Sequence, residues 1–219
     1  MFTSDKPIGE LAGPWGVPIQ FGGSLFLLFL VFVNFAAGPQ VMLYDLMFFL
    51  ILVTSIFLHE LGHAWGALIQ GIPVRRIMIF GGGGFCEYAK AATPRERELM
   101  VAMGPIVNAV LWAVFSLLSQ LISDPEINWV FETIATVNFY LLIFNLIPVQ
   151  PLDGGKLFVL FLYRYLNENW AVRISGFVGL VLCLLWIPAM LLGFAAFGFL
   201  LMFLPSIKMH WRMFRFLEP

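Results

Sequence analysis

Six runs of predominantly apolar residues, divided by short polar or Pro/Gly-containing breaks, dominate the chain. They cover about 21–37, 42–69, 98–122, 128–147, 171–187 and 189–204, the last two meeting at Trp186-Ile187-Pro188. A lipid-facing helix needs about 20 apolar residues at 1.5 Å each. The pattern therefore predicts an all-α polytopic membrane protein with about six transmembrane helices. After the second run the period changes: Arg76-Ile77-Met78-Ile79 alternates, and Phe80-Gly81-Gly82-Gly83-Gly84-Phe85 follows. Alternation running into glycines predicts a small membrane-associated β-structure there. The four glycines make either a flexible turn or a place where another backbone comes close, as at a substrate-facing edge. Lys156–Trp170 is expected to form a short helix along the inner surface. No linker or second domain is visible, so residues 1–219 are expected to be one transmembrane domain.

Composition excludes a soluble enzyme. Of 219 residues 61% are hydrophobic and 11% charged, against roughly 45–50% and 25% in ordinary soluble domains. A net charge of -1 gives no indication of nucleic-acid binding. Cys86 and Cys183 lie far apart and are expected to be free thiols. The 12 Lys and Arg residues are more informative. Lys6 precedes the first run; Arg75, Arg76, Lys90, Arg95 and Arg97 follow the second; Lys156, Arg164 and Arg173 follow the fourth; Lys208, Arg212 and Arg215 form the tail. With six spans all of them fall on one face, which predicts cytosolic N- and C-termini; the compactness of the chain points to a prokaryotic plasma membrane. A cleaved signal is not expected, because the first run starts near residue 24 behind Asp5, Lys6 and Glu10.

Near the inner end of the second run stands His59-Glu60-Leu61-Gly62-His63. Residues four apart share a helix face, so both imidazoles can reach one ion while Glu60 reaches the adjoining water. This is a zinc hydrolase signature. Merely structural histidines would leave three ionisable groups within five residues at membrane depth, a cost of several kcal/mol. Catalytic zinc takes three protein ligands and keeps one position open. Of the acids in or beside the spans, Asp45 and Glu132 sit near the outer ends of their helices; Asp153 alone is on the side of His59. Asp153 ends Asn145-Leu146-Ile147-Pro148-Val149-Gln150-Pro151-Leu152-Asp153-Gly154-Gly155, whose two prolines interrupt the helix. Broken helix at membrane depth is tolerated where it lines protein or a wet cavity. From residue chemistry alone Asn145 reads equally as a donor to substrate or as a partner for carbonyls freed by Pro148, and Asn108 as interhelical glue or as a site residue.

Together, His59-Glu60-x-x-His63, Gly104-Pro105-x-x-Asn108 and Asn145-x-x-Pro148-x-x-Pro151-Leu152-Asp153-Gly154 resemble the site-2 protease family of intramembrane zinc metalloproteases, over about residues 40–160. The resemblance implies one zinc per chain held by His59, His63 and Asp153, with Glu60 activating water and Asn145 stabilising the substrate. It implies a supporting role for Asn108 and a β-structure near the substrate path at Gly81, Gly82, Gly83 and Gly84. The core would be residues 40–160, with C-terminal helices over 171–204. Family PDZ and CBS domains have no room in this chain, which points to a minimal form. Partners implied are the lipid bilayer, transmembrane protein substrates and a regulatory membrane partner that gates access. The substrates of the family are either membrane-tethered regulators or signal-peptide remnants.

His59 precedes Gln70 by 11 residues, hence lies roughly 16 Å inside the cytosolic boundary. Water must then enter from the inner side, and a substrate helix must unwind locally before its carbonyl is accessible. The competing readings are a zinc transporter, a metal-binding scaffold and a membrane-anchored protease of soluble chains. A transporter needs ligands along the whole route, yet His59, Glu60, His63 and Asp153 lie toward the cytosolic side. His210, in the basic aromatic tail Lys208-Met209-His210-Trp211-Arg212, is expected to be part of an interfacial anchor.

Overall fold

In the computed structural model, which describes residues 5–197 and 203–216, the amino-terminal stretch folds into strands. β1 (Pro7–Ala12) and β2 (Pro18–Gly22) form an antiparallel pair. β2 then lies parallel to β3 (Val74–Phe80), which turns back into β4 (Gly83–Tyr88), giving a four-stranded sheet in the order β1-β2-β3-β4. The sheet expected after the second helix is present, but half of it comes from the start of the chain. Phe80 pairs with Gly83 across the two-residue turn Gly81-Gly82, and Gly83 sits at φ 123°, backbone that a side chain would strain.

Contacts divide the chain into two compact units, Met1–Leu142 and Ile143–Pro219. In the first unit, α1 (Ser24–Phe32) runs beside α2 (Pro39–Leu68) in the opposite direction. Ser24 Oγ accepts a hydrogen bond from the Gly81 amide at 2.8 Å. Further along, Phe29 packs edge-on to Phe49 at 5.3 Å, and the Asn34 amide donates to Asp45 at 3.0 Å. α1 thus starts beside the β3–β4 turn and ends beside the first third of α2. On the sheet face, Ile77 and Ile79, two residues apart on β3, pack with Ala64 of α2 and with the partly buried Phe57 and Leu61. The hairpin therefore climbs back along α2. α3 (Pro94–Ser119) begins with a capping box in which the Thr93 side chain accepts from the Glu96 amide. It packs closely on α2: a Cβ on Gly62 would lie 2.6 Å from the Met103 carbonyl oxygen. α4 (Pro125–Asn145) closes the unit and carries the chain into the next.

The second unit holds α5 (Asp153–Leu162), α6 (Glu168–Phe197) and α7 (Ile207–Arg215). Trp186 Nε1 donates to the Phe203 carbonyl at 2.8 Å, and Phe214 packs on Phe177 at 6.0 Å. The chain beyond α6 therefore returns along that helix, setting α7 against its amino-terminal half. Arg215 thereby comes back beside Arg173 in the first turns of α6.

The count of six helices is corrected. Among the described residues four helices are long and apolar enough to cross a membrane: α2, α3, α4 and α6. The run at 21–37 becomes the end of β2, a nine-residue helix and a connection; nine residues rise only about 14 Å. The runs at 171–187 and 189–204 share one helix, because α6 passes through Pro188 without ending. Proline removes one internal hydrogen bond, which an apolar helix can absorb more readily than it can expose a broken backbone. Residues 198–202 of the last expected span lie outside the described residues.

Candidate metal centre

The spacing of four places His59 and His63 on one side of α2, with ring centroids 4.6 Å apart, edge to face. Both are buried. Their hydrogen bonds fix the tautomers. His63 Nδ1 lies 2.8 Å from the Met100 carbonyl, an acceptor only, so Nδ1 carries the proton. His59 Nδ1 lies 2.5 Å from Asn108 Oδ1, and the amide is oriented by Asn108 Nδ2 donating to Asn138 Oδ1 at 2.7 Å. His59 Nδ1 is therefore a donor as well. With each Nδ1 engaged, Nε2 is the nitrogen that each ring turns toward a metal position, and the two Nε2 atoms lie 3.0 Å from one another.

Three features of the sequence create this pair. Gly104 supplies the space: a Cβ there would lie 2.4 Å from His63 Nε2 and 2.8 Å from His59 Cε1. Asn108, one turn further on α3, is wholly buried and holds His59. Asn138 on α4 holds Asn108 in turn and donates to Ser55 Oγ at 3.0 Å. The line Ser55–Asn138–Asn108–His59 joins three helices through buried polar groups. Sequence reasoning found Asn108 but missed Ser55 and Asn138. Their signal was available, since a polar residue in an apolar span that faces the bundle is commonly functional.

Glu60, also buried, faces the hairpin. A Cβ on Gly84 would lie 2.5 Å from Glu60 Cγ and 2.9 Å from its Oε1, so β4 approaches this carboxylate as closely as a backbone can. Of the four glycines only Gly84 lies against Glu60; Gly81 seats Ser24 and Gly82 lies over the Phe80 ring. Beside them, burial and the Glu60 charge push the Cys86 thiol up to about 12.

In the second unit, the loop after α4 delivers Asp153 as the first residue of α5, buried, with Oδ1 taking the Lys156 ammonium at 3.0 Å. Gly154 and Gly155 have no room for side chains: a Cβ on Gly154 would lie 2.2 Å from the Leu146 carbonyl. Asn145 is the last residue of α4 and half-buried. Among the described residues, His59, His63 and Asp153 are the three-residue group able to hold a metal ion, each offering one ligand atom. Two imidazoles and one carboxylate, all buried, fit a single zinc and leave a fourth position for chemistry.

The sequence profile of peptidase family M50 matches residues 47–125 and 119–186. The chain belongs to peptidase family M50. The chain is similar to the zinc metalloprotease MJ0392 of Methanocaldococcus jannaschii, 30% identical over 176 residues, which are 78% of this chain and 50% of that protein. Stage IV sporulation protein FB of Bacillus subtilis is 30% identical over 140 residues, 62% of this chain and 47% of that protein. The chain thus spans about half the length of the curated relatives it matches. Among solved structures, the site-2 protease from Methanocaldococcus jannaschii superposes with a TM-score of 0.67 at 22% identity, covering 94% of this chain and 92% of that one. That likeness establishes a shared fold.

Proposed function

We propose that this member of family M50 is an intramembrane zinc endopeptidase that hydrolyses peptide bonds in or near transmembrane segments of membrane proteins. The observation that carries the reading is the buried group His59, His63 and Asp153, each offering one ligand atom, with the two histidine Nδ1 atoms held by Asn108 and Met100. Asp153 is the third ligand in this reading. When bound, zinc supplies Lewis-acid activation of water and of the scissile carbonyl. Glu60 takes a proton from the attacking water and delivers it to the departing amine nitrogen, so the amine leaves neutral. The Asn145 amide donates to the carbonyl oxygen as charge develops there, a contribution of about 3–4 kcal/mol for one such donor.

The substrate is a membrane segment with helix-weakening residues, laid as an extended strand on the free edge of β4, where Gly84 keeps the path to Glu60 unobstructed. The basic residues assign the β3–β4 connection, the α4–α6 connection and both termini to the cytosolic face, with water entering from there. A regulatory membrane partner gates access to the site.

The test is cleavage of single-span substrates in proteoliposomes by wild type and by Glu60→Gln, with zinc measured on both. Wild type should cut, and Glu60→Gln should keep zinc and lose activity. Equal cleavage by the two proteins would refute the assignment of Glu60, and cleavage by zinc-free protein the metal reading.

A further inference from the structure

His210 is 1% exposed, and this corrects its expected place in an interfacial anchor. Its partners Gln150, Cys183 and Ser206 lie in the second unit. Its Nδ1 sits 2.8 Å from the Ser206 carbonyl one turn earlier in α7, which makes Nδ1 the proton donor. Nε2 is left as an acceptor, and it takes the Gln150 amide at 3.0 Å. The ring is confined on the other side: a Cβ on Gly179 would lie 1.9 Å from its Cδ2, and Cys183 Sγ lies 3.7 Å from Nδ1. A glycine in α6 thus makes the slot that admits an imidazole from α7.

The group His210 holds is the peptide that sets Asp153. The Leu152 amide donates to the Val149 carbonyl at 2.9 Å, closing a turn around Gln150 whose next residue is Asp153. The first turn of α5 presses on the same peptide: a Cβ on Gly155 would lie 2.5 Å from Val149 C and 2.7 Å from the Gln150 nitrogen. The Gln150 amide is therefore fixed by His210 on one side and abutted by the helix bearing Asp153 on the other. Val149 is fully buried and Asp153 is 3% exposed, so this turn has little room to relax.

We propose that His210 is a positioning residue for the metal site, holding the Val149–Leu152 turn so that Asp153 presents its carboxylate to zinc. The inference rests on the reading of Asp153 as a zinc ligand. It gives the carboxy-terminal helix a part in a site whose motifs all end by Gly155. A partner that displaced α7 would loosen the carboxylate ligand without touching the histidine pair.

The experiment measures zinc affinity by chelator competition, and the visible spectrum of the cobalt-substituted protein, for the full chain as wild type, His210→Phe, His210→Gln and Asp153→Asn. Phenylalanine fills the slot without an acceptor, whereas the glutamine Oε1 reaches the place of Nε2. His210→Phe should bind zinc 10–100-fold more weakly, the usual effect of losing an outer-sphere support, and alter the cobalt bands. His210→Gln should return both to within about threefold of wild type on the same scale. Wild-type affinity and spectrum in His210→Phe would overturn the positioning role while a weakened Asp153→Asn upheld the ligand. Equal loss in His210→Phe and His210→Gln would also overturn it, because restoring the acceptor would then restore nothing. Unchanged affinity in Asp153→Asn would overturn the ligand reading and the inference with it. If His210→Phe does not fold, His210→Met, a flexible apolar filler, takes its place under the same criteria.

Discussion

Asn108 Oδ1 accepts the Nδ1 proton of His59 at 2.5 Å, and this one contact decides which nitrogen of the imidazole is available to a metal. A leucine at position 108 would fill similar volume but leave His59 free to rotate and to exchange tautomers. Asn108→Leu should weaken zinc binding 10–100-fold with the protein still folded, as measured by chelator competition. Asn138→Leu should give a smaller loss in the same assay, since it acts one bond further away. Equal affinity in Asn108→Leu and wild type would show that the histidine is held by packing alone.

Gly104 makes a sharper prediction. A methyl group there would stand 2.4 Å from His63 Nε2, far inside contact distance, and α3 cannot retreat because Gly62 already packs on the Met103 carbonyl. Gly104→Ala should therefore displace the imidazoles and lower zinc occupancy at least tenfold, by the scale set for lost ligand orientation. The check is metal content after dialysis against a weak chelator, with circular dichroism confirming that the helices remain.

These two positions belong to what the sequence disclosed. The His59, Asn108 and Asp153 motifs were legible because short spacings on helices and broken-helix prolines carry their geometry with them. The parallel pairing of β2 with β3 was not, since it joins residues more than fifty positions apart and β1 is exposed without alternation. The helix count failed at both ends for one reason. Hydropathy registers apolar residues, and those around Ser24–Phe32 and Pro188 are apolar whether they span, turn or continue a helix already begun. Asn138 and Ser55 signalled only that a polar group lay within an apolar span; which groups they and His210 hold on another helix or loop is not written in any short spacing.

Gly84 separates catalysis from metal binding. A valine there would thrust its side chain onto the Glu60 carboxylate, where even a Cβ would lie 2.5 Å from Cγ, while the histidine pair is untouched. Gly84→Val should keep wild-type zinc content and lower kcat by 10²-fold or more, the range of a lost general base. A matching loss of zinc would mean that β4 supports the ligands rather than the proton carrier.

The Cys86 thiol, raised to about 12 by burial and by the negative charge of Glu60, should resist alkylation. Because the folded value lies above the ordinary one, the thiolate appears only as pH climbs toward it; at pH 8 about one part in 10⁴ is ionised, against roughly a quarter for a free cysteine. Maleimide labelling at pH 8 should be slow in the native protein and rapid in denaturing detergent. Glu60→Gln removes the nearby charge and should speed native labelling. Fast labelling of Cys86 in wild type would show that β4 leaves the sheet often enough to expose it.

Lys156 offers the last test, on the carboxylate. Its ammonium lies 3.0 Å from Asp153 Oδ1 and is partly open to solvent, so it holds the carboxylate through that oxygen. If orientation is what it contributes, Lys156→Met should weaken zinc binding, and Lys156→Arg should largely restore it, because a guanidinium can reach the same oxygen. If Lys156 instead competes with the metal for Asp153, Lys156→Met should bind zinc more tightly than wild type. The directions are opposite, so the sign of the change measured by chelator competition decides between them. We expect weakening, of about threefold to tenfold, since a half-exposed pair contributes modestly and a buried carboxylate without its cation loses a fixed direction.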